Sequence, residues 1–160
     1  MKKLKIVCVD DQREVLAALR KDLESLQDAC EIIDCESADE VFEVLEEIDA
    51  EDGYPALIIS DHVMPGKNGV ELLIEIKQDP RFPNTRKLLL TGMATHQDTI
   101  NAINNANIDH YIEKPWTEEN LIKSVKTLLT KFVFDAGIEY KIYLHVLDQD
   151  TLYNYLHHNA

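Results

Sequence analysis

Two adjacent aspartates, Asp10 and Asp11, close the apolar run "LKIVCV" near the start of the chain, and a third, Asp61, closes the run "ALIIS". Carboxylates held close together repel, and the arrangement becomes tolerable when a cation lies among them or their pKa values rise. A hard divalent ion such as Mg2+ suits such a cluster, because it takes carboxylate oxygens, keeps several waters and recruits phosphate oxygens. Thr91, after "KLLL", and Lys114, after "HYIE", would add a hydroxyl and an ammonium at the ends of two more apolar runs. With the metal and Lys114 neutralising charge, one carboxylate can act as nucleophile toward a phosphoryl donor and become an aspartyl phosphate. Asp61 is the candidate nucleophile, since it follows the central run and enters the turn "DHVMPGKNG". Thr91 would then donate a hydrogen bond to one phosphoryl oxygen while Lys114 pairs with another.

That chemistry requires elements that end together. Short runs rich in Val, Ile and Leu recur at 4–10, 31–35, 55–61, 87–92 and 109–114, each of strand length. Between them lie stretches with helical spacing: Leu16, Leu19, Leu23 and Leu26; Val41, Val44, Leu45 and Ile48; Val70, Leu73 and Ile76; Ile100 and Ile103; Leu121, Val125, Leu128 and Phe132. Ser37, with Glu40 three residues on, has the form of a capping box, and Thr117 stands in the same place before the last helix with Asn120 in the matching position. Five strands alternating with five helices predict an α/β fold with a parallel sheet, right-handed crossovers and helices on both faces. In such a sheet ligands bind beyond the carboxyl ends of the strands, where strand order reverses, which is where the named residues fall.

Composition narrows the function classes. Thirty acidic residues against sixteen basic ones give a formal charge of −14 over 160 residues, which repels a phosphate backbone. Direct nucleic-acid binding and membrane insertion are both unexpected, because no segment approaches the roughly 20 apolar residues that span a bilayer. The reading is one soluble cytoplasmic domain, with Cys8, Cys30 and Cys35 as reduced, packed thiols. The six histidines, His62, His96, His110, His145, His157 and His158, show no ligand spacing. Plainer readings stand beside the chemical ones: a strand-final aspartate such as Asp11 can be a helix N-cap, and Tyr111 alone can be an edge-strand aromatic.

Four motifs, "VDD" at 9–11, "SDHVMPGKNG" at 60–69, "LLTG" at 89–92 and "YIEKPW" at 111–116, together resemble the receiver domain of two-component response regulators. The resemblance covers Leu4 to about Lys131. It implies a doubly wound, flavodoxin-like sheet of order 2-1-3-4-5 and a module phosphorylated on an aspartate by a histidine kinase or phosphotransfer protein. It makes Asp61 the phosphoacceptor, and assigns Mg2+ to Asp10, Asp11, Asp61 and the backbone carbonyl of Val63. Thr91 and Tyr111 become the switch pair, with Lys114 and a cis Pro115 beside them. Phosphorylation would draw Thr91 toward the phosphoryl group, let Tyr111 turn inward, and reshape a face that contacts an output domain or partner protein. Val63 and Met93 are apolar where many relatives carry polar residues, which predicts slow self-dephosphorylation. A Mg2+-dependent phosphatase or phosphotransferase of the haloacid dehalogenase type is the alternative. It calls for an acid two residues after the nucleophile, where this chain has Val63.

Residues 132–160 lie outside the resemblance and form a C-terminal extension. Ile138, Tyr140, Ile142, Leu144 and Val146 alternate with polar residues, which predicts a half-buried strand, with a helix through Tyr143, Leu144 and Leu147 as the other reading. A lone strand needs a partner, so a homodimer, docking on the receiver, or the first strand of an output domain are the three expectations.

Overall fold

A computed structural model describes residues 1–92 and 96–158. Strands β1 (Leu4–Val9), β2 (Cys30–Cys35), β3 (Tyr54–Ser60), β4 (Arg86–Leu90) and β5 (His110–Ile112) alternate with helices α1 (Arg13–Asp22), α2 (Ala38–Ala50), α3 (Gly69–Gln78), α4 (His96–Asn101) and α5 (Glu118–Asp135). All pairings are parallel, in the order β2-β1-β3-β4-β5, as the alternation predicts. Alternate residues of the central strands feed two apolar layers. Leu4, Ile6 and Cys8 of β1 pack with Leu16 and Leu19 of α1 and Leu121, Val125 and Leu128 of α5. Val7 and Val9 pack on the other side with Val41 and Leu45 of α2 and Val70, Leu73 and Ile76 of α3. Strands covered on both faces read as continuous apolar runs, which is why the sequence showed no alternation there.

The helix starts differ in detail from expectation. The Ser37 hydroxyl accepts the Glu40 amide at 3.3 Å, yet the Glu40 carboxylate turns to the amide of Glu36 rather than closing the box on Ser37. A reciprocal box sits instead at α3, where Asn68 and Glu71 accept each other's backbone amides at 2.9 and 3.1 Å. Thr117 caps α5 through the Asn120 amide at 3.1 Å. The stretch read as one helix through Leu26 divides into α1 and a short 3-10 turn, Glu24–Leu26, and α4 gives way to a π-helical turn, Ala102–Ala106.

The extension is not a strand. Helix α5 runs through Lys131 to Asp135, and the chain then folds back as a 3-10 helix, Tyr140–Val146, and α6, Gln149–His158. Tyr143 is 1% exposed in the α1–α5 layer and its hydroxyl donates to the Lys2 carbonyl at 2.5 Å. Asp148 caps α6 by accepting from the Thr151 amide and hydroxyl, and it also accepts from Lys123 of α5 at 2.8 Å. Tyr155 of α6 stacks on Phe134 with ring centroids 4.6 Å apart. Among the described residues no helix is long and apolar enough to cross a membrane.

Candidate functional site at the carboxyl edge of the sheet

The ladder carries two of the aspartates to their places. Past the last residue of β1, the Asp10 amide donates to Cys35 of β2 at 3.1 Å, and past β3 the Asp61 amide donates to Val9 of β1 at 3.0 Å. Both side chains therefore leave the same edge of adjacent strands, and they are buried, at 1% and 8% exposure. Asp11 is exposed, and one carboxylate oxygen from each of the three lies within 4.8 Å of the others. Asp11 does not cap α1: the N-cap is Gln12, whose amide donates to the Asp10 carboxylate at 2.9 Å.

Lys114 supplies the counter-charge. Its ammonium lies 2.9 Å from Asp10 and 3.3 Å from Asp61. Its amide is held by the Thr91 carbonyl at 3.4 Å, so the end of β4 positions the segment that follows β5. The Lys114–Pro115 peptide is cis, in agreement with the expectation. Burial pushes the Asp10 carboxyl above its ordinary value, against the pull of the Gln12 amide and Lys114, and the nearby Asp61 pushes it further up. A cluster in this state gains from a divalent cation, and its hard oxygen donors fit Mg2+.

Thr91 is fully buried, and the Tyr111 hydroxyl donates to the Thr91 carbonyl at 3.4 Å. The two residues read as a switch pair thus meet. Val63 is 51% exposed beside the Asp61 turn, and Met93 lies outside the described residues. The indole N–H of Trp116 donates to Asp22 at 2.8 Å, tying the entrance of α5 to the end of α1.

Sequence reasoning missed two supports of Asp61. The buried Ser60 hydroxyl donates to the Asp61 carbonyl at 2.8 Å. Gly69, whose amide donates to the His62 carbonyl at 2.8 Å, passes so near that a Cβ there would lie 2.0 Å from the Asp61 carbonyl oxygen. The sequence reads Gly69 only as a turn glycine, because a close approach across a loop leaves no periodic signal.

Comparison with known proteins agrees with this geometry. Residues 6–126 match the response regulator receiver domain family. The chain is 31% identical over 125 residues to the hydrogenase transcriptional regulatory protein HoxA of Cupriavidus necator, covering 78% of this chain and 24% of that protein. It is 27% identical to the phosphate regulon transcriptional regulatory protein PhoB of Rhizobium meliloti, covering 79% and 52% respectively. It thus spans between a quarter and about half the length of these relatives. The crystal structure of the signal receiver domain of an HD domain-containing protein from Pseudomonas fluorescens Pf-5 superposes with a TM-score of 0.75 at 26% identity, covering 86% of this chain and 94% of that one. Nothing in these matches favours the haloacid dehalogenase alternative. With the family match spanning the edge that gathers Asp10, Asp11, Asp61 and Lys114, the chain belongs to the receiver domain family of two-component response regulators.

Proposed function

We propose that this chain is a stoichiometric phosphoacceptor whose Asp61 takes a phosphoryl group from a phosphohistidine of a kinase or phosphotransfer protein. The observation that carries this reading is the Lys114 ammonium set between two buried carboxylates, with a third carboxylate beside them. An Asp61 oxygen attacks phosphorus, the P–N bond of the donor breaks, its electron pair stays with the donor imidazole, and an acyl phosphate remains. Asp10, Asp11, Asp61 and the Val63 carbonyl would hold Mg2+, which when bound neutralises charge on the phosphoryl oxygens. Lys114 then exchanges its carboxylate contacts for a phosphoryl oxygen, Thr91 donates to another, and Tyr111 follows Thr91. Each of these moves shifts a pre-existing equilibrium of the β4–β5 edge.

The output is a protein contact, since a charge of −14 disfavours nucleic acid. Residues 1–131 form the receiver and 132–160 an extension docked on it. Three buried, unpaired thiols suit a reducing cytoplasm. An exposed, apolar Val63 offers no hydrogen bond to a water approaching the phosphoryl group, so with Met93 it makes self-dephosphorylation slow.

Incubation with acetyl phosphate and Mg2+, read by intact mass, tests the reading. A gain of one phosphoryl group in the wild type, absent in Asp61→Asn, supports it; no gain in either refutes it. Tyr111→Ala should keep the mass gain, and a Val63→Asn, Met93→Glu variant should lose phosphate faster than the wild type.

A further inference from the structure

We propose that Lys87 is an opening bias built into the connection between α4 and β5: the closed connection shuts its ammonium away from water, and opening rehydrates it. Lys87 is the second residue of β4 and is 5% exposed. Period two puts its side chain on the same face of the sheet as Leu89, in the apolar layer that holds Ile76 of α3, Phe82 and Ala106 of the π-helical turn. Among the described residues its ammonium has one hydrogen-bond partner, the Thr85 carbonyl at 3.2 Å, and it forms no ion pair. An ammonium carries several donors, so one neutral carbonyl serves it poorly, and burying a cation on those terms is costly. An apolar residue would fill the same place in the layer without that cost.

The charges around Lys87 do not offset its burial. Asp109, at the entry to β5, attracts the ammonium, but its carboxylate already accepts the Lys87 backbone amide at 2.8 Å and faces Arg86 at 3.6 Å. Arg86 and Lys77 of α3 repel it, and the Lys77 ammonium donates to the Asn105 carbonyl of the π-helical turn at 3.4 Å. The turn itself, "AINNA", has no charged residue. Burial outweighs the rest and pushes the Lys87 amine below its ordinary value of 10.5. The backbone of the connection is irregular twice in succession, at the π-helical turn Ala102–Ala106 and at Asn107, whose φ is 55°. Both conformations are uncommon, and π-helical turns concentrate at functional places. The Asp109 amide then donates to the Lys87 carbonyl at 2.8 Å, which fastens the connection to the residue whose side chain opposes its closure. Tyr111 stands two residues further along β5, so the bias bears on the proposed switch; that consequence rests on the phosphoacceptor reading, and the bias itself does not.

Between the lowered value and 10.5 the open connection holds more protons at Lys87 than the closed one, so closure strengthens as pH rises through that window, by up to about tenfold per pH unit. The test is amide hydrogen exchange of the 15N-labelled full chain near neutral pH, in the wild type and in Lys87→Met, which keeps an unbranched side chain without its charge. A 13Cε titration of Lys87 in the wild type is the second measurement. Exchange at Ala106 and Asp109 at least about tenfold slower in Lys87→Met, and a titration midpoint below 10.5, are expected. Unchanged exchange, or a midpoint at or above 10.5, overturns the proposal. Slowing spread equally over β1, β3 and the connection would make Lys87 a global destabiliser and overturn it as well. The response to Lys87→Met should be the same in an Asp61→Asn background, and Lys87→Met should still gain mass with acetyl phosphate, so failure of either reading is seen separately.

Discussion

Replacing Lys114 with Met tests whether the ammonium holds the acidic edge together. The side chain is 22% exposed and its charge faces Asp10 at 2.9 Å and Asp61 at 3.3 Å. At an effective dielectric constant of about 20, each contact is worth roughly 5 kcal/mol of gross attraction. Much of that is offset by the desolvation of the ammonium, and removing one partner of a buried pair typically costs about 3–5 kcal/mol because the remaining charge is stranded. We expect Lys114→Met to lose about 3 kcal/mol in urea unfolding at neutral pH without Mg2+, followed by Trp116 fluorescence. The loss should shrink as pH falls, since Asp10 already has a raised carboxyl pKa and without Lys114 takes up a proton at still higher pH. Mg2+ should stabilise the variant more than the wild type, because the cation no longer competes with an ammonium, each tenfold gain in affinity adding about 1.4 kcal/mol under saturating conditions. A loss below about 1 kcal/mol, or an equal Mg2+ increment in both proteins, would refute the reasoning.

Three further outcomes follow from the same geometry. Mg2+ affinity measured by calorimetry should fall as pH is lowered through the raised Asp10 pKa, beginning above the ordinary value of 3.8, because the metal needs the ionised carboxylate. Gly69→Ala should cost about 1–3 kcal/mol in chemical unfolding and slow phosphoryl uptake, since its Cβ meets the Asp61 carbonyl at 2.0 Å and the nucleophile's turn must move. Tyr143→Ala should cost about 3–5 kcal/mol and Tyr143→Phe about 1 kcal/mol in the same assay, the first opening a cavity beneath the extension and the second losing only the bond to Lys2.

The chemical edge was legible because strand ends and functional positions coincide in a parallel sheet. Asp10, Asp61 and Thr91 each follow an apolar run made conspicuous by burial of both strand faces, while Lys114 follows the short, partly exposed edge strand β5. What supports them was less visible. Ser60 reads as one more small residue closing a strand, and Gly69 as turn punctuation; their roles depend on distances across the loop. The capping box at Asn68 uses a carboxamide in place of the commoner Ser or Thr hydroxyl, with Glu71 three residues on, so it carries a weaker sequence signature for the same physics.

The extension misled for a definite reason. Period two places Ile142 and Leu144 inside and Tyr143 outside, and the structure does the reverse: Ile142 is 50% and Leu144 42% exposed while Tyr143 is buried. A 3-10 helix has three residues per turn, so Tyr140, Tyr143 and Val146 share one face, and that face meets the α1–α5 layer. Aromatic residues in the polar slots of an apparent strand were the available sign, since a tyrosine carries enough apolar surface to be the buried partner. Because the segment buries its apolar face against its own receiver, it needs neither a second copy nor a following sheet to be stable. The extension is fixed to α5 by the ion pair of Lys123 with Asp148, the residue that also caps α6.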